Sequence, residues 1–129
     1  MPEPVLDAPL RLCASDDLAE KGAAFLFDVL QRGEPARAFA LRFEGRVVAY
    51  LNRCVHVATE LDWQVGEFLD SRKEVILCAT HGAAYEPLGG RCVGGPCGRG
   101  SLTSLRIEER DGEVCWYPSS DTRPALAAT

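Results

Sequence analysis

Apolar residues in this chain fall in short runs, each cut off by glycine, proline or clustered charge. That spacing favours strands over helices. Residues 10–14 read as a strand, and Ser15-Asp16-Asp17 as a turn or the start of a brief helix. The run Ala23-Ala24-Phe25-Leu26-Phe27, within residues 23–30, is too short for its period to separate strand from helix. The turn signal Arg32-Gly33-Glu34-Pro35 behind it favours strand. Residues 39–43 and 46–51 flank Glu44-Gly45, a hairpin signal. Phe39, Leu41 and Phe43 alternate with Ala40 and Arg42, as one buried face would. Residues 67–69 are a candidate short strand, 70–73 a polar turn and 74–78 a further strand. Residues 81–100 read as glycine-rich loop with little room for regular structure. Residues 102–110 alternate again, and Asp111-Gly112 turns the chain into a strand over 113–117. Residues 118–129 read as a loose tail.

The pattern predicts an all-β chain. Its base sheet is drawn from both ends, with the middle third, about residues 52–100, inserted as a subdomain. The length of 129 residues predicts one domain, over residues 1–117. Composition adds exclusions. Lys plus Arg is 14 against 19 for Asp plus Glu, a net charge of −5, which argues against nucleic-acid binding through a basic face. The acidic surplus reads as a solvated surface, or as steering toward a basic partner. The longest apolar runs, 47–51 and 75–79, are far shorter than the ~20 residues a membrane helix needs. Met1-Pro2-Glu3-Pro4 carries neither a basic region nor an apolar stretch behind it, so the expected location is the cytoplasm.

The cysteines and histidines change the picture most. Six Cys without an export signal point to metal or redox chemistry rather than a disulfide framework. The two histidines each stand beside a Cys, in Cys54-Val55-His56 and Cys78-Ala79-Thr80-His81. A zinc finger usually pairs its Cys in one knuckle and its His in another. Here each arm carries one of each, which suits two neighbouring metal ions. A mononuclear Cys2His2 zinc site is the alternative, and two ordinary histidines near buried Cys is the plainest reading. Cys92 and Cys97 read as two small half-buried residues on a tight loop, with a disulfide or a second metal site as alternatives. Cys13 and Cys115 lie in apolar stretches and read as core.

The pattern C-x-H then C-x-x-H, followed by Gly82, Tyr85, Gly89-Gly90 and Gly94-Gly95-Pro96, resembles the Rieske [2Fe–2S] proteins. Leu61 sits where that family often has an apolar residue after the first arm, and the similarity runs over about residues 51–117. The resemblance implies small antiparallel sheets stacked on one another, with the inserted subdomain binding one [2Fe–2S] cluster. It implies that Cys54 and Cys78 bind one iron and that His56 and His81 bind the other. Pro96 would lie in a loop covering the cluster, although a plain turn residue is the simpler reading. Some membrane-bound members carry a disulfide between their cluster loops. The matching positions here are Thr59 and Thr80, which points to the soluble ferredoxin type. High-potential members place a Ser and a Tyr hydroxyl near the cluster just after the second arm. Here the Ser position is Ala83, and the Tyr position is kept as Tyr85, whose hydroxyl is expected to reach the sulfur of Cys54.

What the resemblance implies is a monomeric, non-enzymatic one-electron carrier. It would accept electrons from a flavin-containing reductase and pass them to a terminal redox enzyme, often a ring-hydroxylating oxygenase. The sequence has no mononuclear iron motif and no nucleotide fingerprint. Two alternatives are a small Rieske-like subunit of a larger reductase, such as nitrite reductase, and a zinc-stabilised interaction module.

Overall fold

The computed structural model describes residues 9–54, 60–62, 64–79 and 82–125. The strands are β1 (Leu10–Ala14), β2 (Phe25–Gln31), β3 (Glu34–Phe43), β4 (Arg46–Leu51), β5 (Ile76–Leu77), β6 (Ala84–Tyr85), β7 (Cys92–Gly94), β8 (Arg106–Arg110), β9 (Glu113–Tyr117) and β10 (Thr122–Pro124). They form three antiparallel sheets, ordered β1-β9-β8, β10-β2-β3-β4 and β5-β6-β7. The all-β expectation holds, and the first of these sheets joins the two ends of the chain.

The two hairpin signals act as read. At the β3–β4 turn, Glu44 and Gly45 both take positive φ, 52° and 80°, and at the β8–β9 turn Asp111 and Gly112 take 52° and 81°. Such turns match the right-handed twist of the strands they join. The register that follows sets the faces of β3. Phe39, Leu41 and Phe43 enter one buried cluster with Tyr50, Phe68 and Ile76. Ala38 and Ala40 enter another, with Val29, Ala49, Val114 and Trp116. Both faces of β3 are therefore buried, not one. The small alanines leave room for the Trp116 ring, which lies 5.2 Å from that of Phe27. Arg42, on the alanine side of the strand, sends its guanidinium to Glu109 of β8 at 2.6 Å. Its Nε donates to the carbonyl of Leu18 at 2.9 Å. That pair ties the two larger sheets together at their rim.

Four local expectations are corrected. Glu34 and Pro35 belong to β3, because the turn is completed by Arg32 and Gly33 at positive φ (52° and 85°). Residues 67–69 contribute only isolated bridges, Gln64 with Glu67 and Leu69 with Ile76. The stretch read as structureless loop contains β6, β7 and a 3₁₀ turn at Gly95–Cys97. Elements of two or three residues leave no readable period. Finally, part of the expected tail is a strand. Thr122, Arg123 and Pro124 pair with Gln31, Leu30 and Val29 of β2. Thr122 is buried there, with its hydroxyl on the Gln31 side chain. No helix among the described residues is long and apolar enough to cross a membrane.

Candidate metal centre

Two loops that rise from the ends of strands carry the cysteines, and one of them belongs to the smallest sheet, β5-β6-β7. The first, residues 52–62, leaves the end of β4. The second, residues 78–83, joins β5 to β6. Val55, His56, Val57, Ala58, Thr59, Thr80 and His81 lie outside the described residues, so the structure speaks to the two cysteines and their surroundings.

Cys54 is 2% exposed and Cys78 is 0% exposed. Both belong to the buried cluster that holds Phe39, Leu61, Ala83 and Tyr85. The sequence thus brings together two sulfurs 24 positions apart, on separate loops, inside one apolar wall. Sulfurs so placed are soft donors of the kind that hold zinc or iron–sulfur groups. An apolar shell also keeps water from them, which is one lever on the potential of a bound redox group.

Each loop is held shut by hydrogen bonds. In the second, the Cys78 N–H donates to the carbonyl of Ala83 at 2.8 Å, and the Gly82 N–H donates to the carbonyl of Cys78 at 2.9 Å. The first is closed by a side chain. Buried Asn52 accepts from the Leu61 N–H at 2.7 Å and donates to Asp62 at 3.0 Å. The other Asp62 oxygen accepts from the Gly66 N–H at 3.1 Å. The two loops meet where the Ala79 N–H donates to the carbonyl of Leu61 at 3.1 Å. Neither Asn52 nor Asp62 stands out in the sequence.

The Tyr85 hydroxyl lies 3.5 Å from Cys54 Sγ, and both groups are buried. With Cys54 as a thiolate, the hydroxyl is the donor. Ala83, the last residue of the second loop, is fully buried and has no hydroxyl to offer. Pro96 lies in the 3₁₀ turn at Gly95–Cys97, and this turn sits directly on the second loop. A Cβ placed on Gly95 would fall 2.6 Å from the Gly82 oxygen and 2.8 Å from Ala83 Cα. Only glycine permits that approach, and its φ of +82° favours glycine as well.

Cys92 and Cys97 are joined in a disulfide. This overturns the reading of two separate thiols. β7 and the following turn fold the chain back so that the two Cα atoms stand 5.8 Å apart, within the usual range for a bridge. Their spacing in the sequence does not reveal that reversal.

Comparison with known proteins agrees with this arrangement. The family model of the Rieske [2Fe–2S] domain matches residues 8–107. The solved ferredoxin of carbazole 1,9a-dioxygenase from Nocardioides aromaticivorans IC177 superposes with a TM-score of 0.68 at 23% identity, covering 88% of this chain and 100% of that one. A ferredoxin in a complex of reduced oxygenase and oxidised ferredoxin of carbazole 1,9a-dioxygenase gives a TM-score of 0.64 at 24% identity, covering 84% of this chain and 92% of the other. A chain in the reduced complex between oxygenase and ferredoxin of that system gives 0.68 at 22% identity; the match covers 95% of this chain and about a third, 32%, of the other. No curated protein matches by sequence.

Proposed function

Since this chain belongs to the Rieske [2Fe–2S] domain family, whose domain binds one [2Fe–2S] cluster, we propose that it is a one-electron carrier of the ferredoxin type. Cys54 and Cys78 hold one iron, and His56 and His81 hold the other. The observation that carries the reading is the pair of buried cysteines on two loops of one apolar cluster, with the Tyr85 hydroxyl against Cys54 Sγ. When bound, the cluster supplies a one-electron couple. The residues do the rest. The two cysteines bind as thiolates. The histidines bind through neutral imidazoles, which leave their iron electron-poor and raise the potential. The Tyr85 hydroxyl donates toward Cys54, and that bond strengthens as negative charge builds on sulfur. The turn bearing Pro96 covers the second loop and keeps water out.

The chain takes electrons from a flavin-containing reductase and gives them to a terminal oxygenase. It turns over no substrate itself, and it works as a monomer in the cytoplasm. The match to a ferredoxin over the whole of that chain supports the size of the carrier, and the ferredoxins solved in complex with an oxygenase support the acceptor. The experiment is stopped-flow mixing of the oxidised protein with a flavoprotein reductase and NADH, followed by mixing of the reduced protein with a ring-hydroxylating oxygenase. Reduction of the cluster followed by its reoxidation supports the reading. A protein that purifies with zinc and no visible absorption, or one that co-elutes only as part of a larger reductase, overturns it.

A further inference from the structure

The Cys92–Cys97 bridge has no place in electron transfer as described, yet it closes a segment that seats on the second loop. We propose that this pair is a thiol–disulfide exchange site, and that its redox state sets how firmly the Pro96 turn is held over the second loop. The proposal rests on the reading of Cys54 and Cys78 as cluster ligands only for what it predicts at the cluster.

The bridge spans residues 92–97, at a sequence separation of 5. Inside it lie Gly95, whose close contact with the Gly82 carbonyl has no slack, and Pro96. Beyond it, the Cys92 N–H donates to the carbonyl of Gly100 at 2.9 Å, and the Gly100 N–H donates to that of Cys97 at 3.0 Å. On the other side, Cys92 is the ladder partner of Tyr85, and the Tyr85 hydroxyl lies at Cys54 Sγ. One rung of β-sheet therefore joins the bridge to the hydroxyl beside the first thiol. The site is also approachable. Cys97 is buried, but Cys92 is only half-buried and its neighbour Val93 is 52% exposed. Attack by an external thiolate is accordingly directed at Cys92, with Cys97 as the departing thiolate. Where thiols are abundant, the disulfides that persist are mostly transient or sensing ones.

The step balances with a dithiol as reductant. The Cys92–Cys97 S–S bond breaks, two electrons and two protons pass from the dithiol, two cysteine thiols form, and the dithiol closes its own disulfide. The size of the effect is bounded by loop entropy. Releasing a crosslink over so short a loop frees the turn by at most about 40-fold in its opening equilibrium.

The test uses the intact holoprotein in three forms: bridged, treated with dithiothreitol and alkylated, and the Cys92→Ser/Cys97→Ser double variant. Mass spectrometry counts the alkylated thiols. Visible absorption follows cluster loss in air, and peptide-level amide exchange follows residues 82–85 and 92–100. The expected result is that dithiothreitol opens the bridge, and that cluster loss and amide exchange over both segments rise several-fold, up to the 40-fold bound. The double variant should behave as the reduced protein does, which separates the switch from any action of the dithiol on iron. The proposal falls if the bridge resists excess dithiothreitol. It also falls if the reduced protein and the double variant exchange over residues 82–85 at the bridged rate. Should the native protein hold no [2Fe–2S] cluster, the ligand reading fails. Amide exchange then still decides the switch.

Discussion

The base of the molecule and the cap that carries the two cysteine loops are held together by different means. In the base, β1–β4, β8 and β9 are five to ten residues long, paired around Trp116 and the β3 alanines in ladders that are continuous except for one irregularity where β1 meets β9. In the cap, β5, β6 and β7 are two or three residues long. A sheet so small does not stand alone in water. What supplements it are Asn52 and Asp62 across the first loop, the glycine contact on the second and the Cys92–Cys97 bridge. Regular alternation stabilises the base; point contacts stabilise the cap. Metal binding contributes folding energy directly in such regions. The difference predicts that damage to the cap leaves the base standing.

The largest effect expected is from Cys78→Ala. On the ligand reading it removes one of the four bonds, and the cluster is lost. The base should persist, because its second core cluster, around Val29, Ala49, Val114 and Trp116, contains no residue of the cap. Iron content, the Rieske electron paramagnetic resonance signal and far-ultraviolet circular dichroism check this together. Loss of iron with the β signal largely retained is the expected outcome. Retention of a normal Rieske spectrum would show that Cys78 is not a ligand, and collapse of the β signal would show that the base depends on the cap.

Two glycine substitutions set the regions side by side. Gly45 in the base and Gly95 in the cap have nearly equal φ, +80° and +82°. A Cβ on Gly45 meets nothing within 4 Å, whereas one on Gly95 runs into backbone atoms of the second loop. Gly45→Ala should therefore cost only the left-handed penalty, about 1 kcal/mol. Gly95→Ala carries the same penalty plus an overpacking cost of about 1–3 kcal/mol, because backbone atoms cannot swing away. Denaturant unfolding of both holoproteins measures the pair. Equal losses would mean that the Gly95 turn does not sit tightly on the loop.

Tyr50 bolts the two regions together. It sits on β4 in the base, and its hydroxyl donates to the carbonyl of Pro87 in the cap at 2.6 Å. Burial, with the charge of Glu86 adding to it, pushes its pKa up to about 12. Tyr50→Phe leaves the buried Pro87 carbonyl without that donor and should cost about 1–2 kcal/mol near neutral pH. The pH dependence follows from the direction of the shift. The folded protein keeps Tyr50 protonated, while the unfolded chain loses that proton near about pH 10. Wild-type stability from this group is complete below about 10 and is lost as pH rises toward 12. The phenylalanine variant has nothing to lose there, so its deficit should narrow over that window. Urea unfolding on either side of the window tests it, and a constant deficit would contradict the burial of the hydroxyl.

The same contrast explains what could be read from the sequence. The base is legible because its strands are long enough to show alternation and its turns carry a glycine at positive φ, as at Gly45 and Gly112. β1 falls on the residues read for it. β10 was missed because Thr122 is held by a polar contact with Gln31, and polar residues leave no hydrophobic signature. In the cap, the cysteines stood out through their chemistry rather than their period, and Tyr85 through the resemblance. The Cys92–Cys97 bridge and the Asn52 clamp depend on where the chain reverses, which local composition does not encode. Alternation reports on strands; it is silent on loops that are held by single contacts.

The smallest expected effect tests the contact between the cap's own residues most directly. Rieske potentials span roughly −150 to +300 mV, and hydrogen bonds to the sulfurs are one of the levers. Tyr85 offers one hydroxyl, 3.5 Å from Cys54 Sγ, and Ala83 offers none. Reduction places more negative charge on sulfur, so a donor there stabilises the reduced form more than the oxidised form. A hydrogen bond to a charged acceptor is worth about 1.5–3 kcal/mol, but only the difference between the two redox states moves the potential. For one electron, about 59 mV corresponds to about 1.4 kcal/mol. Tyr85→Phe should therefore lower the midpoint by some tens of millivolts, with little change in fold because the ring is kept. Ala83→Ser, which adds a hydroxyl at a fully buried position, should raise it. Protein-film voltammetry of the three proteins at one pH measures both shifts. A midpoint unmoved by Tyr85→Phe would mean that the 3.5 Å contact is packing, and that the cap tunes its cluster through burial alone.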